Sequence, residues 1–374
     1  MCSISDQPWY NPARMYTALT TRMLFACSID HSMQRCRLEL EDSVKVLFIG
    51  GTGIISSACV ELAVARGIDL TLLNRGNATR PIPANVAVLQ GDIRDKDATA
   101  TLLKDLNFDV VVDFVAFTPE HIEIDLELFR GRTKQYIFIS SASAYQTPPV
   151  SWPTVESTPL RNPYWAYSRA KIACEERLTL AYREEGFPVT IVRPSHTYDA
   201  TSVPMDGKYT VLDRMLAGKK VIVHGDGTSL WTLTHHRDFA KGFVGLLGNP
   251  HTLGEAIHIT SDELLSWNQI AETLAGALGV EAKIVHIPSD VIAAYDPAWG
   301  AGVLGDKAHT MIFDNSKIKR LVPEFVATIP FRQGAAEIAA WYASHPAAQK
   351  VDDKLNQLID TMIAASASAW PRTA

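Results

Sequence analysis

The chain has 374 residues, 47% hydrophobic and 20% charged, with a formal net charge of −6. That balance excludes long disorder, and the lack of any run of about 18 apolar residues excludes a membrane-spanning helix. The negative charge excludes a global attraction to phosphate backbones or anionic membranes, and no dense basic patch opposes it, so nucleic acid is not an expected partner. Residues 1–43 show no hydrophobic period and read as an extension outside the packed fold. Arg14, Arg22, Arg35 and Arg37 among Ser and Thr suit a transit peptide, which Asp6, Asp30, Glu39 and Glu41 argue against.

From Val44 strands and helices alternate. Val44–Ile49 is apolar except for Lys45, as in a strand buried on both faces. A Gly-rich turn and a helix to about Arg66 follow, then strands at Asp69–Leu73 and Val86–Leu89. Asp95 is placed to cap a helix over Thr99–Leu106. Asp109–Asp113 is a strand, Pro119–Phe129 a helix, Gln135–Ser140 a strand, Pro163–Glu185 a long helix and Val189–Arg193 a sixth strand. Such alternation makes a parallel sheet covered on both faces. Beyond Pro194 the pattern loosens. Helices are expected at Val211–Ala217, Arg237–Leu247, Ser266–Leu278, Gly334–Ala343 and Ala348–Ala365, and strands at Lys220–Val223, Ala256–Ile259 and Lys283–His286.

Val46 to Ser56 runs strand, Gly50-Gly51-Thr52-Gly53 turn, helix start. Glycines permit positive φ and close backbone approach, and free N–H groups at the helix start suit a pyrophosphate. Strand, turn and helix in this order are the context a dinucleotide fingerprint requires. Ser56 stands where the usual third glycine would be. The second strand ends Asn74-Arg75, without the acidic residue that binds the ribose 2′-hydroxyl of NAD. A guanidinium there suits a 2′-phosphate, with Arg80 near, so NADP is favoured and NAD is the alternative.

Tyr167 and Lys171 stand four residues apart, on one helix face. A nearby ammonium favours the phenolate, which lets Tyr167 exchange a proton with a substrate hydroxyl or carbonyl. Ser140-Ser141 ends a strand of the sheet, where such sheets bind ligands. The five cysteines are scattered and form no Cys-x-x-Cys pair, which opposes a disulfide framework and a zinc site and points to a cytoplasmic protein. His224, Asp226, His235 and His236 lack ligand spacing, so no metal is expected.

Gly50-Gly51-Thr52-Gly53, Gly91-Asp92, Ser140-Ser141 and Tyr167-x-x-x-Lys171, in this order, resemble the extended short-chain dehydrogenase/reductases, the NAD-dependent epimerase/dehydratase group, over about residues 44–345. The resemblance implies an α/β, Rossmann-type doubly wound parallel sheet with a smaller discontinuous α/β substrate region. The division is then a dinucleotide-binding domain at 44–197 plus 232–262, a substrate region at 198–231 plus 263–345, and a C-terminal helix and tail at 346–374. It implies Ser141, Tyr167 and Lys171 as catalytic residues. Cofactor contacts fall to Gly50, Gly53, Ile54, Ile55, Asn74, Arg75, Asp92, Ile93, Lys171 and Arg193. Substrate contacts fall to Ser143, Tyr145, Trp165, His196 and Trp231, with Tyr198 and His235 as further pocket candidates. Family members are often dimers through two long helices, here Pro119–Phe129 and Pro163–Glu185.

The departures narrow the substrate. Nucleotide-sugar enzymes of this group usually carry one arginine before a His-x-x-Asp motif and another before a Gly-Asp pair. Trp231 stands at the first place, and Val303-Leu304-Gly305-Asp306 lacks the second. Two missing fork donors oppose a diphosphate. A sugar, polyol or hydroxy-ketone is expected instead, with hydride transfer at its carbinol or keto carbon. Some details also resemble chloroplast stem-loop-binding proteins, which keep this fold and act on RNA. The rival readings are therefore an RNA-binding protein or an NADP-sensing regulator.

Overall fold

The computed structural model describes residues 44–78 and 80–369, so the reading of 1–43 lies outside the described residues. β1 (Lys45–Ile49), β2 (Asp69–Asn74), β3 (Ala87–Gln90), β4 (Val110–Asp113), β5 (Gln135–Ile139) and β6 (Val189–Pro194) alternate with α1 (Ile54–Ala65), α2 (Lys96–Leu102), α3 (Pro119–Phe129) and α4 (Ala166–Glu185). The chain continues through β7 (His196–Tyr198), α5 (Tyr209–Leu216), β8 (Val221–His224), β9 (Leu230–Trp231), β10 (Leu233–His235), α6 (His236–Val244) and β11 (Ala256–Ile259). It then forms β12 (Leu265–Ser266), α7 (Trp267–Ala277), β13 (Ile284–Ile287), α8 (Ser289–Tyr295), α9 (Pro297–Gly302), α10 (Ser316–Leu321), α11 (Phe331–Ser344) and α12 (Asp353–Ala369).

Seven strands form one parallel sheet in the order β11-β6-β5-β4-β1-β2-β3. This is the Rossmann-type α/β sheet that the alternation predicts. The order reverses between β1 and β4, and the crevice beyond the carboxyl ends there is where such sheets take ligands. β1 shows why its sequence is apolar throughout. Val46 and Phe48 join the core that includes Cys59 of α1 and Phe243 of α6, while Leu47 and Ile49 join the one that includes Ile122 of α3 and Leu178 of α4.

Caps decide the helix ends. The Asp95 carboxylate accepts the Ala98 N–H, so α2 starts at Lys96, earlier than its apolar residues suggest. α4 starts at Ala166, three residues later than expected, because the Asn162 side-chain oxygen accepts the Tyr164 and Trp165 N–H groups in a turn. The outward faces of α3 and α4 are joined by ion pairs, Arg177 with Glu123 and Arg130 with Glu185.

The second half gathers around Tyr198, Leu212, Trp231, Trp267 and Phe331. It holds three two-stranded ribbons, β10 with β7, β12 with β9, and β13 with β8. α12 buries Ile359 and Met362 against Ile222, Ile287 and Ile292. Among the described residues no helix is long and apolar enough to cross a membrane.

Candidate active site

The turn after β1 is held in a glycine-only conformation. Gly50 and Gly51 have φ of 107° and 97°, and a Cβ on Gly51 would lie 2.8 Å from a Leu72 methyl. Ser56 is buried, and its hydroxyl accepts the Gly53 N–H at 2.8 Å, so it fastens the turn to α1. Arg80 fastens it from the other side. It donates to the Thr52 carbonyl at 3.2 Å and pairs with Asp199 at 2.6 Å, so this arginine is already engaged.

Gly50, Asn74, Arg75, Asp92 and Ile93 line one cleft beside this turn, together with Arg94, Val115 and Phe117. Gly53, Ile54 and Ile55 stand next to it at the head of α1. The Asn74 side-chain oxygen accepts the Gly76 N–H at 3.0 Å, while its Nδ2 is buried without a partner. An orphaned donor of this kind costs about 1–3 kcal/mol unless a ligand accepts from it. The positive-φ turn and that orphaned amide fit a dinucleotide. Arg193 requires a correction. It lies inside the fold, paired with buried Glu175 at 2.6 Å, donating to the Glu156 carbonyl and stacked 4.7 Å from the Tyr145 ring. Its charge is neutralised there, away from the walls of the cleft.

A second pocket is lined by Ser141, Ser143, Trp165, Tyr167, His196 and Trp231, with Thr147, Asp306, Met311 and Phe313. Phe117 stands between the two, its ring 6.5 Å from that of Tyr167. Ser141 Oγ lies 2.9 Å from Ser143 Oγ, which lies 2.7 Å from Ser168 Oγ. Burial pushes the Tyr167 phenol up to about 12, opposed by hydrogen bonding from Ser141 and reinforced by the Asp306 carboxylate. Lys171 is buried, and its ammonium donates to the Ala116 and Ile139 carbonyls at 2.6 and 2.7 Å. It sits 5.8 Å from the Tyr167 ring centre, and burial lowers it to about 8. Lys171 therefore serves the main chain at the ends of the sheet here, and it does not by itself lower the phenol.

Three expected substrate contacts lie off this pocket. Tyr145 is fully enclosed, its hydroxyl 3.0 Å from His258 Nδ1. Tyr198 and His235 pack edge to face at 5.3 Å inside the substrate region, and His235 lies 3.2 Å from Glu337. Val303 is likewise buried and faces no ligand space. Trp231 lines the pocket, and its Nε1 is buried without a partner.

Three residues were missed in the sequence. Asp306 was visible only as half of a Gly-Asp pair, and Phe117 carried no signal. Asn162 holds the turn Val303–Lys307 against the serine strand end, because its amide donates to the Ser143 and Gly305 carbonyls at 2.9 and 2.6 Å.

The profile of the NAD dependent epimerase/dehydratase family matches residues 46–259, more than half of the chain. The 2′-dehydrokanamycin reductase of Streptomyces kanamyceticus is 25% identical over 79% of this chain and 83% of its own. The chloroplast stem-loop binding protein of 41 kDa b of Arabidopsis thaliana is 28% identical over 65% of each. The UDP-glucuronic acid 4-epimerase of Bacillus cereus, solved with UDP-glucuronic acid and NAD, superposes with a TM-score of 0.65 at 20% identity, over 80% of this chain and 99% of its own.

Proposed function

We propose that this chain, which belongs to the NAD dependent epimerase/dehydratase family, transfers hydride at a carbinol or keto carbon of an unactivated sugar-like substrate. Gly50, Gly53, Ile54, Ile55, Asn74, Arg75, Asp92, Ile93 and Lys171 would hold the dinucleotide, which supplies a hydride acceptor or donor when bound. Ser141 orients the reacting oxygen. Tyr167 gives its proton to a carbonyl on reduction, and on oxidation it is the phenolate form that takes the proton of a carbinol.

One observation carries the substrate reading. The pocket around Tyr167 has aromatic walls, hydroxyl groups and a carboxylate, and among the described residues no lysine or arginine lines it. A desolvated diphosphate in such a pocket would lack charge-assisted donors. The relative named as a 2′-dehydrokanamycin reductase supports a reduction as the reaction. The retained Ser141, Tyr167 and Lys171 favour turnover over an RNA-binding or sensing role.

The test is a turnover panel of nucleotide sugars against free sugars and polyols, with NAD or NADP present. Free sugars should turn over, and UDP should not stabilise the protein. Stabilisation by UDP in the presence of saturating dinucleotide overturns the reading. Stem-loop RNA binding without any turnover does so in favour of the RNA reading.

NADP is the dinucleotide we favour. Arg75 is exposed at the cleft edge beside the orphaned Asn74 amide, which supports a 2′-phosphate as the group they would meet. Arg80 is engaged by Asp199 and Arg94 by Asp113, so among the described residues Arg75 is the arginine of this cleft that we expect to meet the phosphate. NADP should bind more tightly than NAD by about tenfold to a hundredfold, and Arg75→Ala should erase most of that difference. Calorimetry showing tighter NAD binding in the unmodified protein refutes it.

A further inference from the structure

The pocket around Tyr167 has a charge of its own that the hydride step does not need. Asp306 sits on the turn Val303–Lys307 and, among the described residues, is the one acidic residue on its wall, where no lysine or arginine stands. Its position is built. Gly305 approaches so closely that a Cβ there would lie 2.7 Å from Trp165 Cβ, and Asn162 ties the Gly305 carbonyl to Ser143. Lys307 and Asp206 are the charged groups that act on Asp306, and His224, beside the Lys307 carbonyl, is pushed down to about 4 by burial and is neutral at pH 7. The Lys307 ammonium lies 4.0 Å from Asp306 and 3.8 Å from Asp206, so one cation is shared by two carboxylates. Burial and Lys307 push His196 down to about 4, so it is neutral at pH 7, and Tyr167 is neutral as well. The cluster therefore carries one net negative charge beside a cavity. Burial pushes Asp306 itself up to about 6, so its carboxylate lacks solvation that a ligand can supply. Independently, the Trp231 Nε1–H, almost wholly buried on the same wall, has no acceptor.

We infer that Asp306 is a specificity-determining residue and that it pairs with a protonated amine of the substrate, so the substrate class is an amino sugar or aminocyclitol. This rests on the hydride-transfer reading above. The amine answers the net negative charge, and the flat apolar faces of Trp165 and Phe313 suit the C–H faces of a ring. A ring hydroxyl supplies the acceptor that Trp231 Nε1 lacks. A neutral polyol would satisfy Trp231 and leave the Asp306 carboxylate with only its share of the Lys307 charge.

The experiment uses the full chain with saturating dinucleotide. Amino sugars bearing the amine at C2, C3 or C6, and one aminocyclitol, are each compared with the hydroxyl counterpart and the N-acetyl derivative. Turnover is read as kcat/KM and binding by calorimetry. At least one amine should be preferred over its hydroxyl counterpart by about tenfold to a hundredfold. N-acetylation should abolish that preference, and so should Asp306→Asn. In the unmodified protein the preference should shrink as pH falls through about 6, where Asp306 takes up a proton, and Asp306→Asn should lack that limb. The N-acetyl comparison needs no variant and decides the matter even if Asp306→Asn fails to fold. Equal handling of amine and hydroxyl substrates overturns the assignment and leaves hydride transfer intact. Absence of both turnover and binding across the panel overturns it as well. Turnover of nucleotide sugars alone overturns the underlying reading.

Discussion

Tyr167 and Lys171 stand on one face of α4, four residues apart, and their environments set them to different tasks. The phenol is held near 12 and stays protonated at neutral pH, which suits proton donation to a carbonyl. Lys171 is drawn to about 8, so its ammonium is lost as pH rises through that value. Reduction should therefore weaken above pH 8, and Lys171→Arg should move that limb upward, since a guanidinium keeps its charge. A flat profile from pH 7 to 10 in the unmodified protein contradicts this. Tyr167→Phe keeps the ring against Trp165, at 4.8 Å, and removes the proton. It should lower turnover by about 10²–10⁴ while leaving dinucleotide binding in place, and an unchanged rate removes Tyr167 from the mechanism. That these two residues share one helix face was legible in the spacing of the sequence. Their charge states were not, because the two carbonyls that engage Lys171 belong to Ala116 and Ile139, on separate strand ends.

At the scale of elements, the turn Val303–Lys307 decides what the pocket is. Nothing in its sequence shows that Val303 faces inward and Asp306 faces the phenol, since five residues of helical turn give no period to read. The same holds for β7, β9, β10 and β12, each two or three residues long and too short to show an alternation. Tyr145 and Arg193 were misplaced for a related reason. They end or follow strands of the sheet, where ligand contacts are common, and only the partners Glu175 and His258 show that they point inward. Gly305→Ala tests the turn. The added methyl would strike Trp165 and lie 3.1 Å from the Asn162 side-chain oxygen, so the turn must shift away from the serine strand end. Overpacking of this kind costs about 1–3 kcal/mol. KM should rise several-fold more than NAD(P) affinity falls, because the other cleft is built from β1, β2 and their turns. Equal losses in both would show that the turn does not shape the substrate pocket alone.

At the scale of the molecule, the sheet was legible because long-range order follows from a local pattern: apolar strands, glycine turns and amphipathic helices repeat in sequence. The substrate region was less legible because its parts are short and its core is assembled from distant segments. α12 shows this best. Its helical pattern was evident, but the sequence does not say that it seals the far side of β8 and β13. Arg214 of α5 is almost wholly buried there, and its guanidinium donates to the Lys220 carbonyl, to Asn356 and, at 2.6 Å, to Asp360. Removing residues 351–374 takes away Asn356 and Asp360 and uncovers Ile222, Ile287 and Ile292. Asp360 is 55% exposed, so the main loss is the buried Arg214 left without acceptors, about 1–3 kcal/mol, to which the uncovered isoleucines add. The truncated chain should therefore melt about 10 °C lower. Arg214→Met in the truncated chain should recover part of the loss, since it removes the stranded charge and keeps the volume. Dinucleotide binding should persist at low temperature, because that cleft is lined by the ends of β1 and β2 and the turns after β3 and β4, whereas α12 packs on β8, β13 and α8. A truncated chain that melts with the full one would show that α12 leans on the fold without completing its core.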